Sequence, residues 1–219
     1  MSTVTSDVID RLAGIAPGSR FDELRAHRPQ ARENAQKSYL ALFEPDVPGN
    51  VTRLERRVIA AFVAGFHGQP AVADFYAAEL RALGRPDIAD VVDVEVARGA
   101  AEGPYGRYPQ GPLSVEDRKG PDYRVASDRE AILGSRLVAA LAHAHLLVFH
   151  PRDASAAALQ ALLDADWSTT DIVTLSQLVA FLSFQIRVVV GLRALAASEA
   201  DTDATAQPVF TALLASGAI

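Results

Sequence analysis

The side chains that could do chemistry fall in three places along the chain. His67 follows one apolar segment, a long loop is rich in tyrosine and arginine, and His143 and His145 lie in a second apolar segment. Histidine is the side chain that changes charge near neutrality without perturbation, so these residues are candidate proton carriers. The chain has no cysteine. It therefore supplies no thiolate nucleophile, no disulfide and no thiolate metal ligand.

The stretch around His67 is predicted to form a helix, a break and a second helix. Thr52 and Glu55 have the spacing of a capping box, which predicts a helix from about Arg53. This helix is apolar over most of its circumference, so we expect it to be buried. Two glycines weaken its end, and Pro70 suits the first turn of the next helix.

This helix pair resembles the core of a known superfamily. The segment RRVIAAFVAGFHGQPAVADFY is similar to the redox helices of the alkylhydroperoxidase D-like and carboxymuconolactone decarboxylase-like superfamily, in its peroxidase-related branch. Peroxidase members carry a glutamate, then eleven residues, then Cys-x-x-Cys-x-x-x-His. On that pattern Arg57 takes the glutamate position, Gln69 and Val72 take the cysteine positions, and Tyr76 takes the histidine position. The resemblance implies a degenerate Cys-x-x-Cys motif, and the chain by itself is not expected to be a thiol peroxidase.

The resemblance extends in pattern and order from Thr52 to about Ala197, apart from the loop. It implies an all-α helical bundle of the alkylhydroperoxidase D-like type with about eight helices. Members place an Asn or Gln and an Arg within the last long helix, where Gln185 and Arg187 stand here. Family members commonly assemble as dimers, trimers or hexamers, which implies self-association. We expect one domain over residues 1–219, with a helical extension at 1–51, a core at 52–198 and a tail at 199–219.

Two long helices are predicted after the loop, each starting from a capping box. Ser127 with Glu130 is expected to start the first, and Ser168 with Asp171 the second. The second helix is expected to end at about residue 197. The polar segment SEADTDATAQ then predicts a linker before a last short helix.

The loop at residues 99–127 is the longest irregular stretch, and loops of this length tend to be lids or binding loops. Its residues Tyr105, Arg107 and Tyr108 suit an anionic or aromatic ligand, because a guanidinium holds anions and a phenol ring stacks. Tyr123 and Arg124 share this chemistry. The alternative is a crossover loop or a subunit-contact arm.

The spacing of His143 and His145 argues against a metal site. At i and i+2 they point about 200° apart on a helix, unlike the same-face pair of zinc helices. We predict no metal and no cofactor. We expect His145 to be partly buried and hydrogen-bonded, with a ligand role if the fold brings His67 or the loop close. His143 is expected nearer solvent.

Composition argues against two classes of partner. The net charge is −6, and no basic run carries interleaved aromatic residues, so nucleic acid is not an expected partner. The longest candidate membrane span, Ile172 to Leu195, is interrupted by polar and charged residues, which predicts a buried helix and no membrane insertion. The N-terminus has no apolar signal segment, so we expect a cytoplasmic protein.

Three functional hypotheses follow, and whether the chain is an enzyme stays open among them. In the first, it performs acid–base chemistry on a small carboxylated molecule, as the decarboxylase branch does without a cysteine pair. Arg57 would hold the carboxylate, His67 would carry the proton and Tyr76 would donate a hydrogen bond, with Gln69 in the same site. In the second, it is a non-catalytic partner of a thiol-bearing relative. In the third, it binds a ligand without reaction, and the tyrosine and arginine loop acts as a clamp.

Overall fold

The computed structural model describes residues 7–215, with side chains described for residues 7–198. This part of the chain is all-α, as the sequence predicted, and contains no β-strand. Its nine α-helices are α1 (Val8–Ala13), α2 (Arg20–Ala26), α3 (Pro29–Phe43), α4 (Arg53–Gly65), α5 (Pro70–Arg81), α6 (Pro86–Gly99), α7 (Ser127–Phe149), α8 (Ala156–Asp164) and α9 (Thr169–Ala215). The predicted long loop lies between α6 and α7 and contains one 3₁₀ turn, Pro112–Glu116.

The chain divides into two compact units. Of the described residues, one unit comprises 7–36 with 187–215, and the other comprises Lys37–Ile186. In the first unit, ion pairs join the short N-terminal helices. Arg25 of α2 lies 2.8 Å from the carboxylate of Asp7, and both Arg25 and Arg32 pair with Asp10 of α1. Short helices gain most of their stability from such tertiary contacts, because isolated helices of this length are marginal in water.

Helix α4 is the centre of the second unit. Its predicted capping box is confirmed, since Thr52 Oγ1 accepts from the Glu55 N–H at 3.2 Å and the Thr52 N–H donates to Glu55 Oε2 at 2.7 Å. Its residues 58–64 are at most 6 % exposed, because α5, α6 and α7 pack around it. Gly68, at φ +61°, makes the predicted break before α5.

Helix α7 differs from its prediction in two ways. The capping box of Ser127 and Glu130 is wrong, because Ala126 occupies the N-cap and Ser127 already lies inside the first turn. Gly134 has φ 77° and ψ 158°, which breaks the helical path within α7. Glycine adopts this conformation readily because it has no Cβ.

Helix α9 begins as predicted and ends later than predicted. Ser168 and Asp171 form the expected capping box, with hydrogen bonds of 3.1 and 3.2 Å. The linker predicted at residues 198–207 is wrong, since α9 continues through it to Ala215. The segment from residue 198 to 207 has no glycine or proline, the residues that most disfavour a helix.

Two helices are long and apolar enough to cross a membrane by length and composition, α7 and the Thr169–Ser198 part of α9. In their most apolar windows, 44 % and 39 % of the residues are buried inside the structure. The core helices of soluble proteins have the same length and composition. The absence of membrane insertion therefore stays a prediction from the polar residues along the helix.

Candidate functional site

A cavity of about 730 Å³ opens beside α7 in the second unit. Small side chains create the space, namely Ser135, Ala139 and Ala142 of α7 and Ala158 and Ala161 of α8. Because these residues follow the helical repeat, they form one continuous floor. The volume falls within the range of about 300–1,000 Å³ typical of small-molecule sites.

The wall opposite α7 is the loop segment from Lys119 to Val125. Tyr123 anchors this wall, because its hydroxyl donates to Glu95 Oε2 at 2.7 Å. Glu95 is fully buried and also pairs with Arg98 at 2.6 Å and Arg129 at 3.1 Å. Burial would raise the pKa of Glu95, but the hydrogen bonds from Tyr123 and Arg98 hold it below its usual range. Burial and the bond to Glu95 raise the pKa of Tyr123 well above its usual range, so the phenol keeps its proton.

The surroundings of His145 define which of its two ring nitrogens carries the hydrogen. Its Nε2 lies 3.0 Å from the Gly99 carbonyl oxygen, which can only accept, so Nε2 carries the hydrogen. Its Nδ1 is buried and has no hydrogen-bond partner among the described residues. Burial lowers the pKa of His145, although the hydrogen bond to Gly99 opposes this shift. The lowered pKa favours the neutral ring. Nδ1 is therefore a free lone pair, and Tyr123 stacks on the ring at 4.5 Å.

His143 is 5 % exposed against 1 % for His145, so it lies nearer solvent than His145, as predicted, although both rings are buried. His143 and His145 lie about 200° apart around α7, as their spacing predicts. The cavity covers the remaining arc of about 160°, and the two histidines lie at its two edges. Burial lowers the pKa of His143, and its Nδ1 has no partner in the described part of the chain. Two neutral imidazoles thus flank the apolar floor.

A second, smaller cavity of about 260 Å³ lies on the other side of this wall. Arg98, Gly99 and Ala100 line it, together with the loop residues 121–124 and His145. The loop residues 121–124 and His145 line both cavities, so they form the partition between them, with the stacked rings of Tyr123 and His145 as part of it.

The other loop residues predicted to bind a ligand lie against the end of α7. The Tyr105 N–H donates to the Phe149 carbonyl at 2.8 Å, and the Tyr108 ring stacks under Arg152 at 3.8 Å. Arg107 is exposed. Tyr105, Arg107 and Tyr108 do not line the two described cavities, whereas His145 lines both.

The four candidate catalytic residues lie in two different environments, a buried cluster and the break between α4 and α5. Arg57 and Tyr76 share a buried cluster, in which the Phe43 ring contacts both the Arg57 guanidinium and the Tyr76 ring. His67 lies at the end of α4, with Nδ1 2.8 Å from the Val63 carbonyl oxygen. Gln69 is the N-cap residue of α5 and makes no side-chain capping bond.

Sequence reasoning missed Glu95 and underrated Tyr123 and His143. A signal for His143 was present, because Ser135, Ala139, Ala142 and His143 lie on one side of α7, where small residues leave room beside a polar one. The network around Glu95 joins α6 to residues about thirty positions later, which no local pattern reveals. Among the described residues, no group of three or more His, Asp or Glu side chains is placed to hold a metal ion.

No protein-family model, no curated protein and no solved structure matches this chain.

Proposed function

We propose that this protein binds a small, mainly apolar or aromatic molecule that carries an O–H or N–H donor. The observation that carries this proposal is the cavity beside α7, whose floor is apolar and whose edges hold the neutral His143 and His145. A largely apolar pocket with a few convergent polar groups and shifted pKa values is the usual form of a ligand site.

The hydrogen-bonding pattern supports the class of ligand. A neutral imidazole with one nitrogen already donating can only accept at the other, so the free Nδ1 of His145 selects a donor group. Charges at the cavity edge are mixed, with Lys119 and Arg124 beside Asp122, Glu130 and Asp153. The mixture favours a neutral ligand over a strongly charged one.

Binding of 2-naphthol, followed by calorimetric titration, tests this proposal. We expect wild-type protein to bind 2-naphthol more tightly than 2-methoxynaphthalene, which has the same rings without the donor. Ala142→Trp should abolish binding of both, since it fills the floor of the cavity. Ala156→Trp is the matched control, because Ala156 lies on the exposed face of α8. No binding to the wild type, or equal binding to Ala142→Trp, contradicts the proposal.

Acid–base chemistry at the same cavity is a second candidate, and the defined tautomer of His145 favours it. A buried neutral imidazole with a free lone pair suits a general base. The sequence assigned proton transfer to His67 instead. With a confirmed substrate, loss of turnover in His145→Ala and retained turnover in His67→Ala would support His145 as the general base. Loss of turnover in His67→Ala and retained turnover in His145→Ala would support the sequence-based assignment to His67.

The membership of the chain in the alkylhydroperoxidase D-like superfamily stays a proposal, supported by the residue pattern from Thr52 to Ala197. Since the chain has no cysteine, thiol chemistry would need a thiol-bearing relative as partner. Native mass spectrometry of the protein from its own cells tests this partnership together with the proposed self-association. A spectrum with neither a second chain type nor a homo-oligomer would exclude both.

A further inference from the structure

A histidine and an aspartate lie side by side in the cavity beside α7, where that helix ends. His150 caps the end of α7, and Asp153 follows in the 3₁₀ turn Pro151–Asp153, whose N–H donates to the His150 carbonyl at 2.9 Å. Since a 3₁₀ helix has three residues per turn, residues i and i+3 share one side of it. His150 Nδ1 lies 3.4 Å from Asp153 Oδ2, and both residues line the cavity.

The loop between α6 and α7 contacts both side chains. Asp153 Oδ1 accepts the Arg107 N–H at 3.2 Å, so Oδ2 is the oxygen that faces the imidazole. Gly120 lies so close to the imidazole that an added Cβ would be 3.0 Å from His150 Cγ. The loop backbone therefore packs directly against the ring, and a larger residue at position 120 would displace it.

The facing carboxylate determines which nitrogen of His150 can serve a ligand. An ionised carboxylate only accepts hydrogen bonds, so a neutral imidazole beside it carries its hydrogen on Nδ1. Nε2 is then the lone-pair acceptor. The His150 side chain is 15 % exposed and lines the cavity, so a ligand in that space can reach it.

We infer that His150 and Asp153 form a second acceptor site in the cavity, so that the ligand is an aromatic molecule with two hydroxyl groups. This inference rests on the proposed function and narrows its ligand class. One hydroxyl donates to His145 and the other to His150 Nε2. The centroids of the two rings are 5.9 Å apart, a distance that a naphthalene-sized molecule spans. Asp153 is a positioning residue, since it acts on the ligand through His150.

Calorimetric titration of 2,3- and 2,7-dihydroxynaphthalene tests this site. Each compound is 2-naphthol with one more hydroxyl, which lies near the first hydroxyl in one and far from it in the other. At least one should bind the wild type about fivefold more tightly than 2-naphthol, because one more hydrogen bond forms. Two equivalent hydroxyls alone give a factor of about two. His150→Phe should leave only that factor, since phenylalanine keeps a ring without an acceptor.

Asp153→Asn tests the positioning role. The amide oxygen can keep the bond from the Arg107 N–H, which turns the amide nitrogen, a donor, towards His150 Nδ1. The hydrogen of the ring should then move to Nε2, which no longer accepts from a ligand. ¹⁵N NMR at about pH 8, above the ordinary titration range of histidine, should show this change of tautomer. The gain from the second hydroxyl should be lost as in His150→Phe.

Asp90→Asn is the matched control, because Asp90 is an exposed carboxylate that pairs with Arg81 and does not line the cavity. It should keep the wild-type gain. A wild-type gain no larger than the factor from two equivalent hydroxyls, an undiminished gain in His150→Phe, or a hydrogen on Nε2 of wild-type His150 overturns the inference. Absence of 2-naphthol binding contradicts the proposed function, whereas 2-naphthol binding without a gain from the second hydroxyl contradicts this inference alone.

Discussion

Arg56 and Arg57 are consecutive buried residues of α4, yet they face two different regions. Arg56 faces the segment before α4 and donates from Nε to Val51, from Nη1 to Leu42 and from Nη2 to Pro48, at 2.7–3.0 Å. All three of its nitrogens are used. Arg57 faces Phe43 of α3 and Glu79 of α5, and it uses only Nη2.

The difference teaches that two buried arginines of one helix can have their hydrogen bonds satisfied to different extents. Arg56 fastens the chain before α4 to the helix, because every carbonyl it reaches is a backbone group. Arg57 lies in a site with more donors than acceptors. Burial alone does not separate the two residues, since they are 5 % and 1 % exposed.

The largest expected effect is on Arg56. Arg56→Met should lower the free energy of unfolding by about 3 kcal/mol or more, because three backbone carbonyls lose their donor. Arg57→Met should change it by less than about 1 kcal/mol, since removal of two unpaired buried donors offsets the loss of the pair with the partly exposed Glu79. Urea unfolding measures both. Equal losses in the two variants would remove the distinction between the regions.

A smaller effect is expected from the bond between Tyr76 and Gln185. Tyr76→Phe should cost about 1–2 kcal/mol, because it leaves the buried Gln185 Oε1 without a donor. Adding Gln185→Leu should recover part of that loss, since the unpaired oxygen is then removed. A double-mutant cycle in urea measures the coupling, and simple additivity would show that the bond contributes nothing.

The smallest expected effect is a pH dependence of stability, which His143 and His145 beside the cavity produce and Arg56 and Arg57 do not. Burial lowers the folded-state pKa values of His143 and His145, so the unfolded chain binds protons more readily. Stability should therefore be greatest above about pH 6.5 and should fall as the pH drops below it. Urea unfolding between pH 5 and 8 should show this slope, and His143→Gln with His145→Gln should flatten it. A wild-type slope of zero would contradict the burial of both rings.

The helices were predictable because their signals are local. Thr52 with Glu55 and Ser168 with Asp171 are complete within one turn, and the backbone at both sites agrees with the pattern. Ser127 with Glu130 has the same spacing, but the helix starts one residue early and the pattern is not used. A capping box predicts that a helix is nearby, and the surrounding packing decides which residue takes the cap.

The candidate sites were only partly predictable. Periodicity shows that α4 is buried on most sides, so a buried Arg57 could be suspected from its neighbours. It could not be known that Gln185, more than a hundred residues after Tyr76, accepts the hydrogen bond of the buried Tyr76 hydroxyl. The cavity needed the same kind of information, because it exists only where the loop segment at 119–125 closes over α7.

The partition between the two cavities has an evolutionary consequence. The loop residues 121–124 and His145 separate a larger, mainly apolar space from a smaller, more polar one, so these five residues limit the length of a ligand. Replacing Tyr123 by a small residue would widen the connection between the spaces, and it would also remove a hydroxyl donor from the buried Glu95 of α6. Selection for a longer ligand, or one with a polar end, would therefore act first on the loop residues 121–124, within the limit set by the Glu95 network.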